Sequence, residues 1–238
     1  MGKTRLDQLL VERKLAETRS QAREYIRSGL VTVDGVVRSK PGWQADGQVK
    51  VALADFESYV SRAGGKLAAA NQKFGIDFKG KVVLDVGSST GGFTDYALRC
   101  GAKRVVAVDV GTRQLHEKLR LDQRVELHEQ TDIRQFHTQQ TAEIAVVDVS
   151  FISLRKVLSS VTSNVKSGGY IIALCKPQFE GGSEAKHRGV VKNDRLRREI
   201  FKNFENWLGE NSLHLVDKAD SSVHGSKGNQ ERFYLIEV

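Results

Sequence analysis

Two hydrophobic rhythms run along this chain and meet near residue 58. In the first stretch, apolar residues recur at helical spacing. Leu6, Leu9 and Leu10 follow Thr4-Arg5-Leu6-Asp7, whose Ser/Thr-x-x-acid pattern predicts a helix start. Thr18-Arg19-Ser20-Gln21 predicts a second start as a capping box. Ala22 and Ile26 continue its apolar face, and Gly29 predicts its end. Val31-Thr32-Val33 and Val36-Val37 then flank Asp34-Gly35, a pair suited to the positive φ of a two-residue hairpin turn. Val49-Lys50-Val51 predicts one more short strand. Together these elements imply a small α+β unit over residues 1–58.

From Lys81 the rhythm becomes an alternation of strands and helices. Val82–Leu84, Arg104–Val108, Val125–Leu127, Ile144–Val147 and Tyr170–Leu174 are short apolar runs, as expected of strands covered on both faces. Helical stretches separate them, Leu154 to Val165 among these. The order predicts an α/β domain over residues 59–238, with a mostly parallel, doubly wound sheet of Rossmann-like type. Leu213–Val216 and Arg232–Ile236 have no clear helix between them and predict a terminal antiparallel hairpin.

Composition narrows the function classes. No apolar run approaches the roughly 18 residues of a membrane span. Met1 to Arg5 leads into a charged amphipathic segment rather than a signal core, so a cytoplasmic protein without membrane contact is expected. Cys100 and Cys175 are far apart and lack metal-ligand spacing, so reduced thiols and no bound metal are expected. The net charge is +8, and residues 1–50 carry ten Lys/Arg against six Asp/Glu, a local +4. Arg19, Arg23 and Arg27 recur every four residues and form a stripe along one helix side. Such a stripe can track a phosphate backbone or simply be a solvated face.

The chemistry concentrates where predicted strands end. Asp85-Val86-Gly87-Ser88-Ser89-Thr90-Gly91-Gly92-Phe93-Thr94 links the first strand of the α/β domain to a helix. Glycines there let the backbone turn tightly and approach a ligand. An ordinary strand-to-helix turn and a nicotinamide site are the competing readings, but Gly-x-x-x-Gly-Gly is not the dinucleotide fingerprint. Asp85, two residues before the first glycine, suits a cofactor with a cationic amino-acid tail, which S-adenosylmethionine has and NAD lacks. Asp109 ends the next strand, where a carboxylate can accept from two ribose hydroxyls, and Asp132 follows the third, where it can meet the adenine. The candidate cofactor residues are therefore Asp85, Gly87, Ser88, Gly91, Gly92, Phe93, Asp109, Asp132 and Asp148.

Taken with Asp148-Val149-Ser150-Phe151-Ile152-Ser153-Leu154 and Lys176-Pro177-Gln178-Phe179-Glu180, this loop resembles the TlyA (haemolysin A) family, relatives of the FtsJ-type ribose methyltransferases. The resemblance spans essentially the whole chain. It implies a class I methyltransferase fold and a Lys-Asp-Lys-Glu tetrad, carried here by Lys66, Asp148, Lys176 and Glu231. In this reading Lys176 is the base, discharged by burial and by Lys66, while Asp148 and Glu231 orient the two amines. The N-terminal stretch, through Arg5-Leu6-Asp7, Arg19-Ser20, the Val31–Gly35 hairpin and Lys40-Pro41, resembles the RNA-binding module named after small-subunit ribosomal protein S-four. That implies structured RNA as target, with Arg5, Arg19, Arg23, Arg27 and Lys40 as candidate contacts.

The expected activity is ribose 2′-O-methylation of ribosomal RNA, free or within ribosomal subunits. Base methylation of rRNA or tRNA is the nearest alternative. However, Asp148-Val149-Ser150-Phe151 lacks the prolines of the amine-methylating motif, and Cys175 reads as a buried strand cysteine rather than a nucleophile. A membrane-active haemolysin and a catalytically silent assembly factor are further alternatives. The Gly181–Lys192 segment, with Lys186, His187 and Arg188, reads equally as a solvated loop or as a lid over RNA.

Overall fold

The computed structural model describes residues 3–16, 18–27, 31–38, 40–53, 59–182, 189–191, 193–221, 223–225 and 228–238. Gly29, Lys186, His187 and Arg188 lie outside the described residues, as does the Arg27 side chain. The chain separates into two compact units, Met1–Ser58 and Tyr59–Val238.

In the first unit, β1 (Thr4–Arg5) leads directly into α1 (Leu6–Glu12), and α2 (Arg19–Arg27) follows. Then come β2 (Val31–Val33), β3 (Val36–Val37), β4 (Gln44–Ala45) and β5 (Val51–Leu53). β1 pairs with β4, and β3-β2-β5 form an antiparallel sheet. Leu6, Leu10, Ala22, Ile26, Val31 and Val33 share one buried core, so the helical and strand periodicities point the same way. The hairpin turn has φ of 50° at Asp34 and 80° at Gly35, and the Gln21 N–H donates to Thr18 Oγ1 at 3.2 Å.

Two expectations shift here. Thr4 is a strand residue rather than a helix cap, and α1 begins after Arg5 with no side-chain cap. Asp7 is instead wholly buried. Its carboxylate accepts from Arg5 Nε and Nη2 at 3.0 Å each, from Arg23 Nε at 2.9 Å and from Arg19 Nη2 at 3.4 Å. Hydrogen bonds from these guanidiniums, Arg5 foremost, hold it well below the usual carboxylate range. The last strand lies two residues later than Val49–Val51, because its register on β2 pairs Val33 with Val51.

The second unit opens with α3 (Arg62–Phe74). β6 (Val82–Val86), α4 (Gly92–Arg99), β7 (Arg104–Val108), α5 (Glu117–Arg120), β8 (Val125–His128) and β9 (Ala142–Val147) follow. The chain then forms α6 (Leu158–Thr162), β10 (Val165–Cys175), α7 (Pro177–Glu180), α8 (Asp194–Glu210), β11 (His214–Asp220) and β12 (Arg232–Glu237). The sheet order is β11-β12-β10-β9-β6-β7-β8, parallel from β10 to β8, with β12 antiparallel to both β10 and β11. Alternate residues feed cores on its two faces, as Tyr234 packs with Phe204 on one and Phe233 with Phe93 on the other.

The helix expected from Leu154 to Val165 is a 3-10 turn at Leu154–Lys156 followed by the short α6. Buried Asn164 ends it by donating to the carbonyls of Phe136 (3.1 Å) and Ser160 (2.8 Å) and accepting from Thr138 N–H (2.7 Å). β10 begins at the next residue.

Asp7→Asn should destabilise the N-terminal unit by roughly 1–2 kcal/mol at pH 7, a modest loss because its arginine partners are partly exposed and screened. A carboxylate with a depressed pKa contributes stability above its unfolded value, so the difference should shrink as the pH falls below about 4. Urea unfolding followed by Trp43 fluorescence in a Trp207→Phe background tests this, and equal midpoints for the two proteins at pH 7 would refute it.

Candidate active site

Because β6, β7, β9 and β10 run parallel, their carboxyl ends lie along one sheet edge. At the end of β6 the chain turns through Gly87, whose φ is +81° and where a Cβ would stand 2.6 Å from the Asp148 carbonyl oxygen. The turn after β6 is therefore pressed against the residue that follows β9, and only glycine fits.

Asp85 is wholly buried. Its Oδ2 accepts from Thr94 Oγ1 at 2.6 Å, while Oδ1 and the nearby Ser88 Oγ are buried without a hydrogen-bond partner. Burial, opposed by the Thr94 hydrogen bond and reinforced by the charges of Asp148 and Asp109, pushes its pKa up to about 7. Asp109 follows β7 and accepts from Ser89 N–H at 2.8 Å and Gly111 N–H at 2.6 Å, which bends its carboxylate toward the turn after β6. Asp132 accepts from Arg134 N–H and caps the 3-10 turn Ile133–Gln135. Gly87, Asp109, Asp132 and Asp148 all line one cleft of about 410 Å³, walled by Val110, Ile133, Val149 and Ile152.

Three further residues expected at the cofactor, Gly91, Gly92 and Phe93, have close packing neighbours. A Cβ on Gly91 would meet Leu119 at 2.3 Å, and one on Gly92 would meet Ser61 Oγ at 2.3 Å and Gly64 N at 2.8 Å. These glycines let α4 approach α3 and the Leu115–Leu119 segment. The Phe93 ring is core, 6.1 Å from that of Phe233.

The four tetrad positions form two ion pairs. Lys176 Nζ lies 2.6 Å from Asp148 Oδ1, although that contact is not aligned as a hydrogen bond; its aligned bond goes to Ser150 Oγ at 2.8 Å. Lys66 Nζ donates to Glu231 Oε2 at 2.6 Å, with Glu231 almost wholly buried. Register explains the assembly. β10 pairs Ala173 with Val147 of β9 and Cys175 with Arg232 of β12, so Asp148 and Glu231 leave their strands on either side of Lys176. Cys175 is wholly buried, and burial pushes its thiol up.

Phe151 is a residue that sequence reasoning passed over. Its φ is +66°, rare for a bulky side chain, its ring is 90% exposed at the rim of the cleft, and it lies 5.5 Å from the Phe179 ring. The only sequence signal was an aromatic within the Asp148–Leu154 motif.

In the N-terminal unit, Arg5, Arg19 and Arg23 converge on Asp7, leaving that cluster a net charge of +2. Exposed Lys40 adjoins it, since the Asp7 N–H donates to Pro41 O at 3.0 Å and the Leu6 N–H to Trp43 O at 2.8 Å. Among the described residues no helix is long and apolar enough to cross a membrane.

Comparison with known proteins agrees with this geometry. Residues 4–51 match the S4 domain. The chain is 38% identical over 240 residues to the 16S/23S rRNA (cytidine-2'-O)-methyltransferase TlyA of Mycobacterium tuberculosis, covering 98% of this chain and 90% of that one. It is 35% identical to Hemolysin A of Brachyspira hyodysenteriae, covering 95% and 97% respectively. A solved structure from Streptococcus thermophilus, named for a hemolysin, superposes with a TM-score of 0.74 at 36% identity, covering all of this chain and 89% of that one. With residues 59–237 matching the FtsJ-like methyltransferase model and these identities running through nearly the whole sequence, the chain belongs to the FtsJ-like methyltransferases, in the branch of the TlyA and hemolysin A proteins.

Proposed function

We propose that this chain transfers a methyl group from S-adenosylmethionine to a ribose 2′-hydroxyl of ribosomal RNA. The observation that carries the proposal is the pair of lysine–carboxylate contacts, Lys176 with Asp148 and Lys66 with Glu231, with Asp148 also lining the cleft at the carboxyl edge of the sheet. The names of the Mycobacterium tuberculosis and Campylobacter jejuni relatives, both rRNA (cytidine-2'-O)-methyltransferases, support it.

The residues fit the cofactor. We assign the buried, unpartnered Oδ1 of Asp85 and Ser88 Oγ, which flank the cleft-lining Gly87 in sequence, to its amino-acid end. We assign Asp109 to the ribose and Asp132 to the adenine edge, since both line the cleft together with Val110 and Ile133. When bound, S-adenosylmethionine supplies a methyl group made electrophilic by its sulfonium sulfur.

The rest is the work of this chain's side chains. Lys176, as the neutral amine, takes the proton as the hydroxyl O–H bond breaks and the oxygen gains the methyl, whose bond to the sulfonium sulfur breaks. Asp148, 2.6 Å from Nζ, neutralises the ammonium that results. Ser150 fixes the direction of the amine, and the Lys66–Glu231 pair orients the ribose on the other side. Phe151 offers a nucleobase an exposed ring face. We assign residues 1–58 to RNA engagement and 59–238 to methyl transfer. Asp7 holds three guanidiniums ready for phosphates, so less ordering is needed on binding.

Four outcomes follow. Lys176→Ala should lower the methyl-transfer rate by about 10²- to 10⁴-fold while S-adenosylmethionine still binds. With labelled cofactor and ribosomal subunits from a strain lacking the protein, the label should sit in alkali-resistant linkages; label on bases alone would overturn the ribose assignment. Asp85 must be charged to attract the cofactor's ammonium, so affinity measured by calorimetry should rise with pH through about 7. Asp85→Asn should bind weakly with little pH dependence, and an unchanged pH profile in that variant would remove Asp85 from the site. Arg19→Gln with Arg23→Gln should weaken RNA binding and reduce the slope of log K against log salt by about 1–2; an unaltered slope would exclude these arginines as phosphate contacts.

A further inference from the structure

Asp148 and Lys176 sit just beyond β9 and β10; the Asp148 N–H still donates to Val86 O at 3.0 Å, but no hydrogen bond of the β9–β10 ladder joins Asp148 to Lys176. Yet the chemistry proposed above needs that separation held. The motif that begins at Lys176 ends at Glu180, a residue given no role by the mechanism. Its side chain is 1% exposed.

The single turn of α7 places Glu180 four residues after Lys176 and sends its carboxylate back to the neighbouring loop. Oε2 accepts from Ser153 Oγ at 2.6 Å, and Oε1 accepts from the Leu154 N–H at 2.7 Å. Arg155 Nε stands 3.8 Å from Oε2. One carboxylate therefore clasps the far end of the loop that starts at Asp148. Burial pushes its pKa up while those hydrogen bonds and Arg155 counter the shift, so the fold keeps an acid where an apolar residue would be easier to bury.

Phe151 lies between the two fastened points, Asp148 and Ser153. A phenylalanine at φ +66° persists only where its surroundings over-determine it. The same turn supplies that restraint twice, through the Glu180 hydrogen bonds and through the Phe179 ring 5.5 Å from Phe151. Ser153 is fixed in turn, since its Oγ also accepts from the Arg155 N–H at 3.1 Å.

We propose that Glu180 is a positioning residue for methyl transfer, clasping the Asp148–Leu154 loop onto the Lys176 turn so that Asp148, Lys176 and the Phe151 ring keep their relative places. This rests on the function proposed above. Glutamine can preserve the clasp, because its carbonyl still accepts from Leu154 N–H and its amide can donate to a rotated Ser153 hydroxyl. Alanine cannot.

The test uses the full chain with labelled S-adenosylmethionine and unmodified ribosomal subunits, measuring kcat, the KM for the cofactor and the melting temperature. Glu180→Ala should lower kcat by about 10- to 100-fold, as a displacement near 1 Å does, with the cofactor KM changed less than about threefold. Glu180→Gln should stay within about threefold of the parent and so rescue the loss. Ser153→Ala removes one bond with little risk to folding and should fall between them; added to Glu180→Ala it should cost nothing more. A Glu180→Ala enzyme with kcat within twofold of the parent would overturn the proposal. So would Glu180→Gln and Glu180→Ala losing kcat equally and in step with melting temperature. If Glu180→Ala does not fold, Ser153→Ala decides: full kcat refutes the clasp, and reduced kcat at an unchanged melting temperature supports it. Lys176→Ala, run in parallel, separates the two ideas. If it is inactive while Glu180→Ala is fully active, only the clasp fails; if it is active, the proton-acceptor assignment fails.

Discussion

Parallel register between β6, β9 and β10 is the constraint on which the site depends. The pairings Val86 to Val147 and Val147 to Ala173 bring three strand ends to one edge. Gly87, Asp148 and Lys176 then emerge on the same edge, and the loops that follow set how closely they approach. The reversed strand β12 completes the arrangement from the opposite direction. It delivers Glu231 to the same edge just before it enters the sheet beside Cys175. A one-residue slip in any of these pairings would turn a charged side chain from the edge into a core face. The apolar faces that flank the strands therefore specify the active-site geometry as well as the fold.

The second theme is the burial of carboxylates that hold cations or backbone amides in place. Asp7 gathers three guanidiniums, and Glu231 holds the Lys66 amine. Asp95 accepts from Val60 N–H at 3.0 Å, with Arg99 and Lys118 nearby, and pins the start of the methyltransferase unit to α4. Asp85 differs from these, because one of its oxygens is left without a partner and burial dominates its ionisation.

Much of this was legible in the sequence where the signal was local. Apolar runs marked the parallel strands, Asp34-Gly35 marked the hairpin, and Asp148 and Lys176 were conspicuous as polar residues closing apolar strands. What escaped depended on distant partners. For Gly91 and Gly92 a tight ligand loop and a close helix contact require the same residue, so the packing against Leu115, Leu119 and Ser61 could not be read from the sequence. Asp7 looked like a helix-start acid, and its true partners come from the next helix. The α6 helix was drawn too long because Asn164 stops it through Phe136 and Thr138, more than 25 residues upstream.

Phe151 joins these strands of argument. A left-handed, exposed phenylalanine has no value to the core, and its conformation is costly. It lies within the loop that begins at Asp148, which Gly87 abuts on one side and Glu180 fastens at the other end. The cofactor turn, the proton-handling pair and the exposed ring are thus linked through one short backbone path. Distortion of that path would disturb the acceptor side first, because Asp85 and Asp109 are anchored independently by Thr94 and by the backbone amides of Ser89 and Gly111. The hydrogen bonds around Asp85 and Asp109 and those around Glu180 thus form separate sets, and the Asp148 loop joins the end of β6 where Gly87 abuts the Asp148 carbonyl and where the Asp148 N–H donates to Val86 O at 3.0 Å.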